Sequence, residues 1–177
     1  MPRIALIHAL RESPAPIDAA FDALWPEARR THLLDDSLSA DLASAGAIDA
    51  AMTQRFLDLA AYVRRQGADA ILFTCSAFGL CIDAVKAAHP ELPVLKPNEA
   101  MVDEAVAWAR AHPGQRMGLV ASFQPTLRSM PQEFPPTLQP LCALAAQALP
   151  ALQRGDGAAH DADAVAAAAS LAAQGCG

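Results

Sequence analysis

Cys75 is the side chain in this 177-residue chain best placed to move a proton. It follows the apolar run Ala70-Ile71-Leu72-Phe73 and Thr74, and it precedes Ser76-Ala77-Phe78-Gly79, where a helix is expected to start. A thiol at a helix N-terminus faces backbone N–H groups without intrahelical partners and the positive end of the dipole, so its thiolate is favoured. The same N–H groups hold a carboxylate or an oxyanion. The competing reading is a small buried hydrophobe. That reading fits Cys81 and Cys142, which fall inside helical or apolar stretches, and Cys176 reads as a bystander before a strand that does not begin. None of the four cysteines has the CxxC spacing of a metal or redox site.

A second group is Ser122-Phe123-Gln124-Pro125-Thr126, which offers two hydroxyls and helix-start N–H groups to a ligand, although Ser and Thr are also ordinary helix caps. Asp35, Asp36 and Ser37 end another apolar segment, where they either contact a ligand or form a solvated turn. His8 interrupts the first apolar run and reads as a satisfied core histidine. There is no glycine-rich phosphate loop, HExxH or GxSxG motif.

The elements that carry these residues alternate. Residues 4–9, 30–34, 70–73 and 94–95 read as strands, the first and third buried on both faces. Helices are expected over 17–25 and 78–88, and a third is marked by Ile48, Met52, Phe56, Leu59 and Val63, ending at Gly67. Residues 35–37 read as a polar loop. A helix over 100–111, a strand over 117–121, a short helix from Thr126, a mixed stretch over 138–149 with Gln139-Pro140 limiting any strand, and an alanine-rich helix over 161–174 follow. Strand alternating with helix predicts parallel sheets with helices on both sides. Ligands then gather beyond the carboxyl ends of the strands, at 9–10, 35–37, 74–76 and 122–126.

The plan also repeats. Arg3-Ile4-Ala5-Leu6-Ile7 matches Arg116-Met117-Gly118-Leu119-Val120, an offset of 113 (116 − 3), and Gln66-Gly67 matches Gln174-Gly175, an offset of 108 (175 − 67). Two lobes are expected, 1–98 and 99–177. The counterpart of Cys75 falls beyond Gly177, so the second lobe is expected to be incomplete at its C-terminus, with an exposed strand edge that invites a homodimer or poor solubility. Net charge of −6 without a basic cluster excludes a nucleic-acid or anionic-membrane partner. The first apolar run is too short for a signal peptide and no stretch spans a membrane. Reduced thiols in a cytoplasmic protein are expected.

The run Gly67-Ala68-Asp69-Ala70-Ile71-Leu72-Phe73-Thr74-Cys75-Ser76-Ala77-Phe78-Gly79 resembles the first catalytic strand and turn of the aspartate/glutamate/hydantoin racemase superfamily. Val94-Leu95-Lys96-Pro97-Asn98-Glu99-Ala100-Met101 resembles the segment joining its lobes, and Val120-Ala121-Ser122-Phe123-Gln124-Pro125-Thr126 its second-lobe turn. The resemblance implies an α/β fold of two similar flavodoxin-like lobes and a cofactor-independent isomerase of a small amino acid or related carboxylic acid. One thiolate removes the α-proton and a thiol on the opposite face returns one. Cys75 takes the first catalytic role, with Ser76, Ala77, Ser122, Phe123, Thr126 and Ser37 as substrate-binding residues and no metal. Ser76-Ala77 stands where amino-acid racemases carry Asn-Thr, which argues against aspartate or glutamate. Phe78 and Phe123 suit an apolar substituent, which favours the alternatives within the family, a decarboxylase or cis–trans isomerase. A racemase-like protein that binds a small acid without turning it over is the non-enzymatic alternative.

Overall fold

The apolar run near the N-terminus forms β1 (Arg3–His8), and every residue from Ile4 onward is buried. A computed structural model describes the whole chain, Met1–Gly177, and the chain divides into two units, Met1–Pro97 and Asn98–Gly177. In the first unit β1 is followed by α1 (Pro14–Leu24), β2 (Arg29–Leu34), α2 (Ser37–Ala45), α3 (Ala50–Arg65), β3 (Ala70–Phe73), a 3-10 turn over Ser76–Phe78, α4 (Gly79–Ala88) and β4 (Val94–Leu95). The strands pair in parallel in the order β2-β1-β3-β4. Alternation along β1 sends Ile4 and Leu6 toward Ile17 and Phe21 of α1. On the α3 side, the ring of Phe56 stacks on Phe73 at 5.2 Å and meets Phe78 at 4.9 Å.

α3 follows its sequence signals. Asp49 caps it, accepting from the Met52 N–H at 2.7 Å, and Met52, Phe56, Ala60 and Val63 form its buried face. Residues 35–37 differ from expectation: instead of a loop, Ser37 opens α2, which buries Leu38, Ser39 and Leu42. Its apolar stripe is short and broken by serines, so periodicity alone does not reveal it.

The second unit holds α5 (Glu99–Ala111), β5 (Gly118–Ala121), α6 (Gln124–Ser129), a 3-10 turn over Met130–Glu133, β6 (Leu141–Leu144), α7 (Ala148–Gln153) and α8 (Gly157–Ala173). β5 and β6 pair in parallel, and Val102, Met117, Leu119, Met130 and Phe134 make a core. The stretch expected to be mixed resolves into β6 and α7. Pro140 does not limit the strand, because it precedes the ladder, where its missing N–H costs nothing.

The repeat is present in the register. Ala5 pairs with Thr31 in the first unit and Gly118 with Leu141 in the second. At the helix ends, Gly67 and Gly175 both adopt left-handed φ, +79° and +85°. Ala68 N–H donates to the Val63 carbonyl, as Cys176 N–H does to that of Leu171. Asp69 N–H donates to the Arg3 carbonyl at 2.8 Å, and Gly177 N–H to that of Arg116 at 3.1 Å. Cys176 forms a parallel bridge with Arg116, so pairing on the second flank of β5 does begin there. No helix is long and apolar enough to cross a membrane.

Candidate active site at the carboxyl end of the first sheet

Cys75 remains extended, with φ −124° and ψ 117°, and the chain turns at Ser76 into the 3-10 turn that leads to α4. The residue is partly accessible. Its side chain lies in a narrow crevice with Ile7, Ala9, Leu38, Phe56 and Phe73. Burial pushes the thiol above its ordinary value, against opposing hydrogen bonds from the Ala77 backbone and the Ser39 side chain. The expectation of a favoured thiolate is thus corrected: desolvation outweighs the helix start, and the resting group is the protonated thiol. Ala77 is buried and Ser76 begins the turn. Phe78 is fully buried against Phe56, so it belongs to the core and does not face a substrate.

Ser37 lies at the end of β2 in a different group. Its hydroxyl donates to Asp35 Oδ1 at 2.7 Å and accepts from Arg55 Nη2 at 2.7 Å. Arg55 also reaches Asp35 Oδ2 at 2.6 Å and Asp41 Oδ2 at 2.5 Å. Burial raises the Asp35 carboxyl, but hydrogen bonds from Ser37 and Arg55, with the Arg55 charge, prevail and hold it below its ordinary 3.8. A depressed carboxylate contributes stability that is present above pH 3.8 and is lost as pH falls through its folded-state value. Arg55→Met is therefore expected to cost about 1 kcal/mol at pH 7, discounted for the partial exposure of the pair. The difference in melting temperature from the unsubstituted protein should shrink below pH 3.8. A difference unchanged down to pH 2 would assign it to packing of the arginine stem instead.

On the opposite face of β1 and β3 a chain of polar groups runs inward from α1. Asp18 Oδ1 lies 3.3 Å from His32 Nε2, His32 Nδ1 lies 3.0 Å from His8 Nε2, and His8 Nδ1 lies 2.9 Å from Thr74 Oγ1. The His8 ring is fully buried and lies nearly parallel to that of His32. Burial, aided by His32 and opposed by the Asp18 charge, lowers His8 to about 4. His8 is the core histidine that its place in an apolar run implies, yet it ends beside Thr74, the neighbour of Cys75.

In the second unit, Ser122 follows β5, Phe123 is the residue before α6, and Thr126 is buried with its N–H donating to the Phe123 carbonyl at 3.0 Å. The shared register makes β5 the counterpart of β1, so residues 122–126 correspond to the turn after His8 and not to the turn at Cys75. Cys75, Ser76 and Ala77 are thus gathered in one turn, Ser37 sits two strands away, and Ser122, Phe123 and Thr126 belong to the other unit.

No family model matches the sequence, and no curated protein matches it. Solved structures do match its fold. Glutamate racemase from Francisella tularensis, solved with D-glutamate, superposes with a TM-score of 0.59 at 14% identity over 87% of this chain and 56% of that one. Glutamate racemase from Thermus thermophilus, solved with β-chloro-D-alanine, gives 0.58 at 21% identity over 88% and 56%. A cysteine variant of arylmalonate decarboxylase gives 0.56 at 20% identity over 94% and 72%. The chain shares its fold with these glutamate racemases and with arylmalonate decarboxylase. The chain spans a little over half the length of the glutamate racemases that share it.

Sequence reasoning named the Cys75 turn but not His32, nor the contact of Thr74 with His8. Two histidines at apolar-strand positions were the available signal, but their meeting depends on β1–β2 register, which residue types alone do not reveal.

Proposed function

We propose that the chain carries the first half-site of a cofactor-independent isomerase acting on a small carboxylic acid, with Cys75 exchanging the proton α to the carboxylate. The observation that carries this reading is the placement of a partly accessible cysteine at the carboxyl end of β3, at the start of a helical turn, in a racemase fold. Ser76 and Ala77, in the turn that follows Cys75, are proposed to hold the carboxylate and the enolate-like charge that develops as the α-proton leaves. Ser37, and in the second unit Ser122, Phe123 and Thr126, are proposed as further substrate-binding residues. The reaction needs no metal or organic cofactor in this reading, and the protein is a cytoplasmic one that self-associates as a homodimer.

A thiol held above its ordinary 9.0 gives a base whose active fraction grows with pH. Exchange of a substrate α-proton with solvent deuterium is therefore expected to rise about tenfold per pH unit between 7 and 9. Cys75→Ser is expected to lower it at least a hundredfold. Proton NMR over a panel of amino and dicarboxylic acids measures both. Exchange that survives Cys75→Ser removes the thiol from the reaction. Carbon dioxide release from a substituted malonate without exchange would move the chemistry to decarboxylation, and ligand-induced thermal stabilisation without turnover would leave a binding protein.

A further inference from the structure

The groups from Asp18 to Thr74 stand in line: Asp18 lies 3.3 Å from His32, and two hydrogen bonds follow, between His32 and His8 and between His8 and Thr74. The Asp18 carboxylate only accepts, and its charge 3.3 Å away favours the His32 tautomer with the proton on Nε2. In the tautomer so assigned Nδ1 of His32 is bare, and the proton between the two rings then belongs to His8 Nε2. The fully buried His8 ring stays neutral, which leaves its Nδ1 bare and calls the Thr74 hydroxyl proton toward it. The alternative acceptor for that hydroxyl, the Ile7 carbonyl, is more distant at 3.4 Å. Each choice follows from the one before, and the carboxylate at the far end decides them all.

We infer that Asp18, through His32 and His8, fixes the Thr74 hydroxyl as a hydrogen-bond acceptor at the strand end beside Cys75, making His8 and His32 positioning residues of the site. Thr74 is partly accessible, so a group meeting its oxygen there must bring its own proton. An ammonium, hydroxyl or thiol satisfies this and an ionised carboxylate does not, which leaves the carboxylate to Ser76 and Ala77 in the next turn. The inference rests on the proposed reading of this strand end as the site. The charged groups around the chain are Asp18 and Asp22 of α1, and Arg30 of β2, whose Nη1 lies 2.6 Å from Asp22 Oδ1 and whose Nε lies 3.7 Å from Asp18 Oδ1. Protonating His32 on Nδ1 would reverse both inner hydrogen bonds and turn Thr74 into a donor.

The test reads the protons directly. Nitrogen-15 long-range correlation spectra of the full chain at pH 7.5 should show His8 and His32 as Nε2–H tautomers, assigned with His8→Gln and His32→Gln. In Asp18→Asn the amide can donate to His32 Nε2, so the Nδ1–H forms of both rings should rise at least several-fold. An Nδ1–H tautomer at either ring in the unsubstituted protein, or tautomers unmoved in Asp18→Asn, would overturn the inference. Proton-exchange turnover supplies the second arm: Asp18→Asn should change the rate on the order of tenfold, and by far less in a Thr74→Val background. Shifted tautomers with an unchanged rate would confine the chain to structure and overturn the positioning role. A protein with no Cys75-dependent exchange at all would refute the proposed function, and the tautomers alone would then decide whether the proton order holds.

Discussion

Phe78→Ala is expected to remove about 3–5 kcal/mol of unfolding free energy, the cost of deleting a large buried side chain and leaving a cavity. Phe78 is fully buried, and its ring meets that of Phe56, which in turn stacks on Phe73. The three rings come from α3, from β3 and from the turn after Cys75, so no neighbouring side chain can fill the hole without moving one of these elements. Against a total stability of roughly 5–15 kcal/mol, such a loss would leave the first unit barely folded at 37 °C. Phe78→Leu keeps most of the volume and should lose about 1–1.5 kcal/mol. Urea unfolding followed by circular dichroism measures both, and a loss below 1 kcal/mol for the alanine variant would contradict a buried ring. The same substitution loosens the turn that holds Cys75, because Phe78 anchors it three residues away. Exchange catalysed by Phe78→Leu should accordingly fall further than its stability does.

Much of this architecture could be read from residue types. β1 and β3 declare themselves as short, unalternating apolar runs because a parallel strand covered on both faces tolerates no polar position. α3 is legible because Met52, Phe56, Ala60 and Val63 recur with helical spacing behind an Asp49 cap. The repeat is legible because its strongest marks, Gly67 and Gly175, are demanded by a left-handed backbone that few other residues adopt. α2 escaped notice because its serines and alanines give little periodic contrast. The place of Cys75 was legible, whereas the state of its thiol was not. A helix start is written in local sequence, but desolvation comes from Ile7, Leu38 and Phe56, residues far away in the chain. The same holds for the histidine chain, whose members come from α1, β1, β2 and β3 and meet only through strand register.

Acid should weaken the first unit well before the Asp35 carboxyl takes up a proton, and His8 is the reason. An unfolded histidine takes up a proton near 6.5, while the buried ring in the folded chain resists it until about 4. A base whose folded-state value is depressed favours the folded state fully above 6.5, and that contribution is lost as pH falls from 6.5 toward 4. The slope is at most about 1.4 kcal/mol per pH unit, and smaller to the extent that water reaches the ring from the strand end. Asp35 does not add to it in this window, since its carboxyl stays ionised to below 3.8. Unfolding free energies of the full chain at pH 7.0, 6.0, 5.0 and 4.5, with amide exchange in β1 reporting on the first unit, should therefore fall steadily in the unsubstituted protein. His8→Gln keeps a polar side chain facing Thr74 and His32 but takes up no proton. It should begin less stable and lose clearly less over the same interval. The comparison is between slopes, so the cost of the substitution itself drops out. Parallel slopes in the two proteins would show that protonation of His8 is not what acid exploits.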